Sequence, residues 1–182
     1  METQIIRSDR KTLSMELRGE TLIVRAPRHM SEAVIRQFIR DHEGWIAKAR
    51  AKQERAAART AGVAKLTAEE LEELADAALA DIPERVRHFA PQVGVTYGRI
   101  TIRAQRTRWG SCSAAGNLNF NCLLMLAPPE VRDSVVVHEL CHRKEMNHSR
   151  RFYAEVYRVF PEYDRWHGWL NEHGAALQAR LP

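Results

Sequence analysis

A chain of 182 residues that is 45% apolar has room for one good core with a small accessory unit, which excludes a wholly disordered protein. No apolar run approaches bilayer-spanning length and Met1–Arg7 lacks the apolar core of a signal peptide. The three cysteines, Cys112, Cys122 and Cys141, show no C-x-x-C spacing, and together these features point to a reduced, cytoplasmic protein. The formal charge of +5 is modest, and neither a membrane nor a specific nucleic-acid partner is expected.

The first thirty residues alternate. Leu13, Met15 and Leu17 precede Arg18-Gly19-Glu20, and Leu22, Val24 and Ala26 follow it, which reads as a hairpin with one apolar face ended by Pro27. Ser31 is suited to cap a long helix with a stripe of Val34, Ile35, Phe38, Ile39, Trp45, Ile46 and Ala49. The stripe fades into Lys52-Gln53-Glu54-Arg55, and a bend or linker is expected near Ala61-Gly62-Val63. Residues 1–62 are therefore expected to form an N-terminal hairpin and long helix, and residues 63–182 a second region, the two packing as one unit.

Thr67-Ala68-Glu69-Glu70 is a capping box opening a second helix, whose apolar side is Leu66, Leu71, Leu74, Ala75, Ala78 and Leu79. Pro83 is expected to kink this helix, and Phe89 and Pro91 to close it. Val93 to Ala104 reads as extended. After a turn at Ala114-Ala115-Gly116, Leu118, Phe120 and Cys122 alternate with Asn117, Asn119 and Asn121 as a strand that has one polar face. Pro129 fits the first turn of the next helix. Farther on, Ser149 caps a helix carrying Phe152, Val156, Tyr157, Val159 and Phe160, and Pro161 opens another with Trp166, Trp169 and Leu170. The fold class is α+β: a small antiparallel sheet with an N-terminal hairpin and long helices.

The chemistry gathers in Val135-Val136-Val137-His138-Glu139-Leu140-Cys141-His142. Two histidines four apart lie one above the other on a helix face, so their imidazoles converge on one metal ion, and Glu139 is placed to act on its water. The valines, Leu140 and Cys141 mark a helix packed into an interior. A catalytic zinc site needs three protein ligands and one open position. Asn147 is suited to end the helix in a left-handed conformation, which makes His148 the candidate third ligand. The step of six from His142 to His148 equals that of the metzincin motif, with Glu145 where that motif has its turn glycine. Glu145, Glu155, His167 and His173 are the rivals for the third position, Glu155 foremost.

Basic groups cluster nearby. Arg99, Arg103, Arg106 and Arg108 have no acidic residue among them, and Arg143, Lys144, Arg150 and Arg151 bracket His148, a field that favours an anionic substrate. Clustering by chance is the plainer alternative, because arginine dominates the basic residues throughout.

Arg108-Trp109-Gly110-Ser111-Cys112-Ser113, Asn117-Leu118-Asn119-Phe120-Asn121, His138-Glu139-Leu140-Cys141-His142 and Asn147-His148-Ser149 with Phe152 together resemble the YgjP-like family, small metal-dependent hydrolases related to the zincin metallopeptidases. The resemblance is densest from about Arg103 to Leu170. It implies a zincin-like active-site helix, with His138, His142 and His148 as ligands of one zinc ion per chain and Glu139 as catalytic acid and base. It leaves the substrate open. A metallopeptidase using a metal-activated water is the first reading. An edge strand then aligns the peptide, with Asn117 to Leu124 as its candidate. Arg106, Arg108, Asn119 and Tyr153 are the candidate substrate-binding residues, although Tyr153 suits core packing equally well. A nucleotide phosphohydrolase of pyrophosphatase type, with residues 99–108 holding phosphate, is the second reading. A purely structural metal is the third, and it lacks the fourth ligand such a site needs. Trp109 and Gly110 are read as shaping their loop, and oligomeric state has no signature in the sequence.

Overall fold

The computed structural model describes residues 2–182, which divide into two units, the first running to Ala61 and the second spanning Gly62–Pro182. In the first unit the hairpin forms as strands β2 (Ser14–Arg18) and β3 (Thr21–Pro27), with Gly19 at φ 56° in the turn. An additional strand, β1 (Glu2–Ser8), pairs parallel to β3, so the sheet runs β1-β3-β2 and β3 lies in its centre. That position explains why Leu22, Val24 and Ala26 are fully buried, against Ile35 and Ile46.

Ser31 caps α1 (Glu32–Asp41) by accepting from the amide of Val34. The long helix expected from the apolar stripe is two helices, because the chain leaves helical geometry at His42 before α2 (Glu43–Thr60) begins. The His42 ring, 2.8 Å from the Phe38 carbonyl, takes up an acceptor that helix continuation would have used.

The second unit opens with α3 (Ala68–Val93), where both halves of the Thr67–Glu70 capping box are present. Pro91 does not close this helix. Both prolines lie inside it, and each costs one backbone hydrogen bond. Burial of Ile82, Val86, Phe89 and Val93 offsets the loss at about 1.5–3 kcal/mol for each large side chain. Gly94, left-handed at φ 79°, ends the helix and returns its N–H to Ala90. The expected long extended segment is therefore helix to Val93, then a loop, then a short β4 (Ile100–Arg103).

Strands β5 (Gly110–Cys112) and β6 (Leu118–Asn121) complete a second sheet in the order β4-β6-β5. Each sheet is mixed rather than wholly antiparallel: β6 runs parallel to β4 and antiparallel to β5. Residues Cys122–Leu126 form a 3-10 turn, not more strand, capped by the Asn121 side chain on the Leu123 amide.

Helix α4 (Pro129–Cys141) starts on Pro129 and carries buried residues on every side: Val131, Val135, Val136, Val137, Leu140 and Cys141. Arg85 of α3 pairs with Asp133 of α4 and Asp81 of α3, and Arg132 reaches the same Asp81 carboxylate. Burial alone would raise the Asp81 pKa; hydrogen bonds from Arg85 and Arg132 outweigh it and hold the carboxyl below its ordinary value. Helices α5 (Arg150–Val159), capped by Ser149, and α6 (Tyr163–Ala179) close over α4. Lys65 fastens the start of this unit to its end by donating to the carbonyls of Ala179 and Leu181. Among the described residues, no helix is long and apolar enough to cross a membrane.

Candidate metal centre

A buried helix can present polar ligands only where its face opens, and α4 opens at its C-terminal turn. His138 and His142 sit there one helical turn apart, with His142 as the capping residue in right-handed geometry. The chain then turns back through residues 143–148. No non-glycine residue among those described has positive φ, so Asn147 is not the left-handed cap expected of it. Successive turns do that work, with the amides of Lys144 and Glu145 both bonded to the Cys141 carbonyl.

The turn delivers His148 to the other two histidines. Nε2 of His138 is 3.0 Å from Nε2 of His148 and 3.2 Å from Nε2 of His142. All three ligand atoms lie within 4.8 Å of one another. Phe152, itself fully buried, forms the floor, with ring centroids 4.6–4.9 Å from all three imidazoles.

These donors fit a divalent ion. Nδ1 of His142 lies 3.1 Å from the Glu145 carbonyl, which can only accept, so the neutral ring carries its proton on Nδ1 and turns a lone pair toward His138. Lone pairs packed this closely repel unless a cation or a proton lies between them. Three nitrogens bound tetrahedrally at about 2.0–2.1 Å would stand about 3.3 Å apart, close to the two short separations found. Burial, reinforced by His142 and His148, pushes the His138 pKa down to about 3, so its lone pair is available at neutral pH. Burial lowers that of His142 as well.

Glu139 points from the same turn and is 6% exposed. Burial pushes its pKa up to about 8, with Arg108 opposing the shift. Gly110 of β5 lies directly against it: a β-carbon there would come within 2.6 Å of Oε1 and 2.7 Å of Cγ. Two cavities meet at this carboxylate. One, of about 220 Å³, has Trp109, Val135, Tyr163, His167 and Leu170 in its walls. The other, of about 260 Å³, has Ser111, Cys112, Met146 and His148. Arg108, Gly110, His138 and Glu139 line both.

Of the candidate substrate-binding residues, only Arg108 lines these cavities. Arg106 is turned to the carbonyl of Pro182, and Asn119 donates to Ser111 Oγ at 3.1 Å. Tyr153 meets Phe152 edge-on and stacks on Tyr157, with its ring centroid 6.3 Å from that of His148. Of the rivals for the third ligand, Glu155 pairs with Lys144 and Arg158, and His173 packs on Trp169. Glu145 meets His142 through its backbone carbonyl, and His167 lines the cavity beside His138 but bonds Tyr163 and is not grouped with the three histidines. The strand taken as the substrate-aligning edge is not an edge. Strand β6 is central, and β5 is the outer strand beside the site.

Two roles escaped the sequence reading, which took Gly110 as shaping its loop and did not single out Tyr163. Gly110 is required by close approach to Glu139, which no local pattern announces. Tyr163 places its hydroxyl 2.8 Å from Nδ1 of His138 and 3.2 Å from Nδ1 of His167. The one available signal was the four-residue step from Tyr163 to His167 on a single helix face.

The family described as "YgjP-like, metallopeptidase domain" matches residues 11–74 and 64–173. Among solved structures, the metallopeptidase zymogen of Methanocaldococcus jannaschii jannalysin is similar at 22% identity and a TM-score of 0.45, over 50% of this chain and 95% of its own. That of Pyrococcus abyssi abylysin is similar at 22% identity and a TM-score of 0.47, over 56% of this chain and 99% of its own. No curated protein matches the chain.

Proposed function

The chain belongs to the YgjP-like metallopeptidase-domain family, and from that premise we propose that it is a zinc-dependent peptidase with His138, His142 and His148 as ligands and Glu139 as general base and acid. The observation that carries the proposal is the meeting of three imidazole nitrogens beside a buried carboxylate. Imidazole donors suit zinc among the divalent metals. When bound, the ion supplies Lewis acidity and lowers the pKa of a coordinated water to about 7.

The chain's own residues supply the rest. Glu139 takes the proton of the attacking water and passes it to the leaving amine. Arg108, at the boundary of both cavities, stabilises negative charge as it develops on the carbonyl oxygen. Strand β5 aligns the substrate. Its bonds to β6 include Asn121 N–H to the Trp109 carbonyl and Ser113 N–H to the Asn117 carbonyl. By the alternation of an antiparallel pair, Gly110 and Cys112 then turn their amides and carbonyls to the open edge, where an extended peptide can pair.

Support for a peptide over a nucleotide comes from that edge and from the arginines. Of Arg99, Arg103, Arg106 and Arg108, only Arg108 lines the cavities, so the cluster makes no phosphate cradle. Parallel assays of the zinc-loaded protein on quenched peptides and on nucleoside triphosphates test the choice. Peptide cleavage is expected. Hydrolysis of triphosphates alone, abolished by Glu139→Gln, would replace this reading with the phosphohydrolase.

A further inference from the structure

The Tyr163 hydroxyl stands between two imidazoles, with its oxygen 2.8 Å from Nδ1 of His138 and 3.2 Å from Nδ1 of His167. It is locked in place. Tyr163 is buried, and its ring stacks on that of His167 one turn along α6, with centroids 5.1 Å apart and an interplanar angle of 20°. Both residues line the cavity of about 220 Å³, as do His138 and Glu139.

A phenol has one proton to give. It donates to one imidazole and accepts from the other, and His138 decides which. When Nε2 of His138 binds an ion, the neutral ring must carry its proton on Nδ1, which donates to the Tyr163 oxygen. The Tyr163 hydroxyl then donates to Nδ1 of His167, and the His167 proton resides on Nε2.

With the ion stripped, the direction reverses. His142, held with its proton on Nδ1 by the Glu145 carbonyl, faces His138 with a lone pair at 3.2 Å. A proton on Nε2 of His138 relieves that contact, and Nε2 of His148, at 3.0 Å, is a second acceptor for it. Nδ1 of His138 then accepts from Tyr163, which accepts from Nδ1–H of His167. Every ring stays neutral in both arrangements, and the number of protons is unchanged.

We propose that Tyr163 relays metal occupancy at His138 to His167, so that the loaded protein presents an Nε2–H donor in this cavity to a carbonyl oxygen of the bound peptide. The proposal rests on the three histidines being metal ligands. A peptide carbonyl suits the site because the walls include Trp109, Val135 and Leu170, where one neutral donor satisfies a neutral acceptor. His167 is thus a positioning residue for substrate.

Long-range ¹H–¹⁵N spectra of the full chain labelled at its 8 histidines, recorded with zinc and then with a chelator, read the tautomers directly. His167, assigned by its loss in His167→Gln, is expected to carry its proton on Nε2 with zinc and on Nδ1 after chelation. In Tyr163→Phe that response should vanish, and zinc affinity should fall about 10- to 100-fold. His167→Ala should raise KM about two- to tenfold, with Gln, whose amide can donate near the Nε2 position, recovering most of it. A His167 tautomer that ignores zinc while the signals of His138, His142 and His148 respond would overturn the relay and leave the metal site standing. Failure of those three to respond would instead remove the ligand assignment on which the relay rests.

Discussion

Replacing Glu139 by glutamine should lower kcat for peptide cleavage about a thousandfold or more while zinc content stays at the level of the parent protein. Glutamine matches glutamate in size but cannot accept and then return a proton. The carboxylate stands beside the three imidazoles without being one of them, so the ion loses no ligand. The environment of Glu139 explains why the effect should be large. Burial at 6% exposure lifts its pKa to about 8, which strengthens its hold on a proton. A nearby divalent cation favours the ionised form, so the group is charged before the reaction and still basic enough to carry the proton across. Parallel measurement of kcat and bound zinc checks this. A glutamine variant keeping a tenth of the activity would assign proton transfer elsewhere.

Gly110→Ala should cost about 100-fold in kcat through geometry alone. The added methyl would lie 2.6 Å from Oε1, 2.7 Å from Cγ and 2.9 Å from Cδ of Glu139. Neither backbone can retreat easily. Strand β5 is bonded along β6, and α4 is itself buried through Val135, Val136, Val137 and Leu140. The carboxylate must therefore swing aside, and overpacking of this kind costs about 1–3 kcal/mol of stability as well. Zinc should be retained, which separates this variant from one that loses a ligand. Steady-state kinetics alongside thermal melts and metal content distinguish a displaced base from a misfolded chain. Parent-like kcat in a folded alanine variant would show that Glu139 tolerates displacement.

What the sequence reveals here is the chemistry of short stretches. The caps at Ser31, Thr67 and Ser149, the start of α4 at Pro129 and the face shared by His138 and His142 all depend on residues within one or two turns of each other. Features set by distant pairing stay hidden. Strand β6 has a polar alternation that suits an edge, yet it is central because β4 arrives from one side and β5 from the other. The two prolines inside α3 would break an exposed helix and survive where Ile82, Val86 and Phe89 are buried. At the site, His148 arrives by a turn with no left-handed residue, and Tyr163 reaches His138 from 25 positions away. Tertiary packing, not local propensity, builds that half of the centre.

X-ray absorption at the zinc edge, on protein purified without added metal, tests the metal centre most directly. About one ion per chain with three imidazoles in its first shell is the expected result, falling to two imidazoles in His148→Ala. A substoichiometric ion, or a shell unchanged by that substitution, would contradict the assignment of His138, His142 and His148 as the ligands.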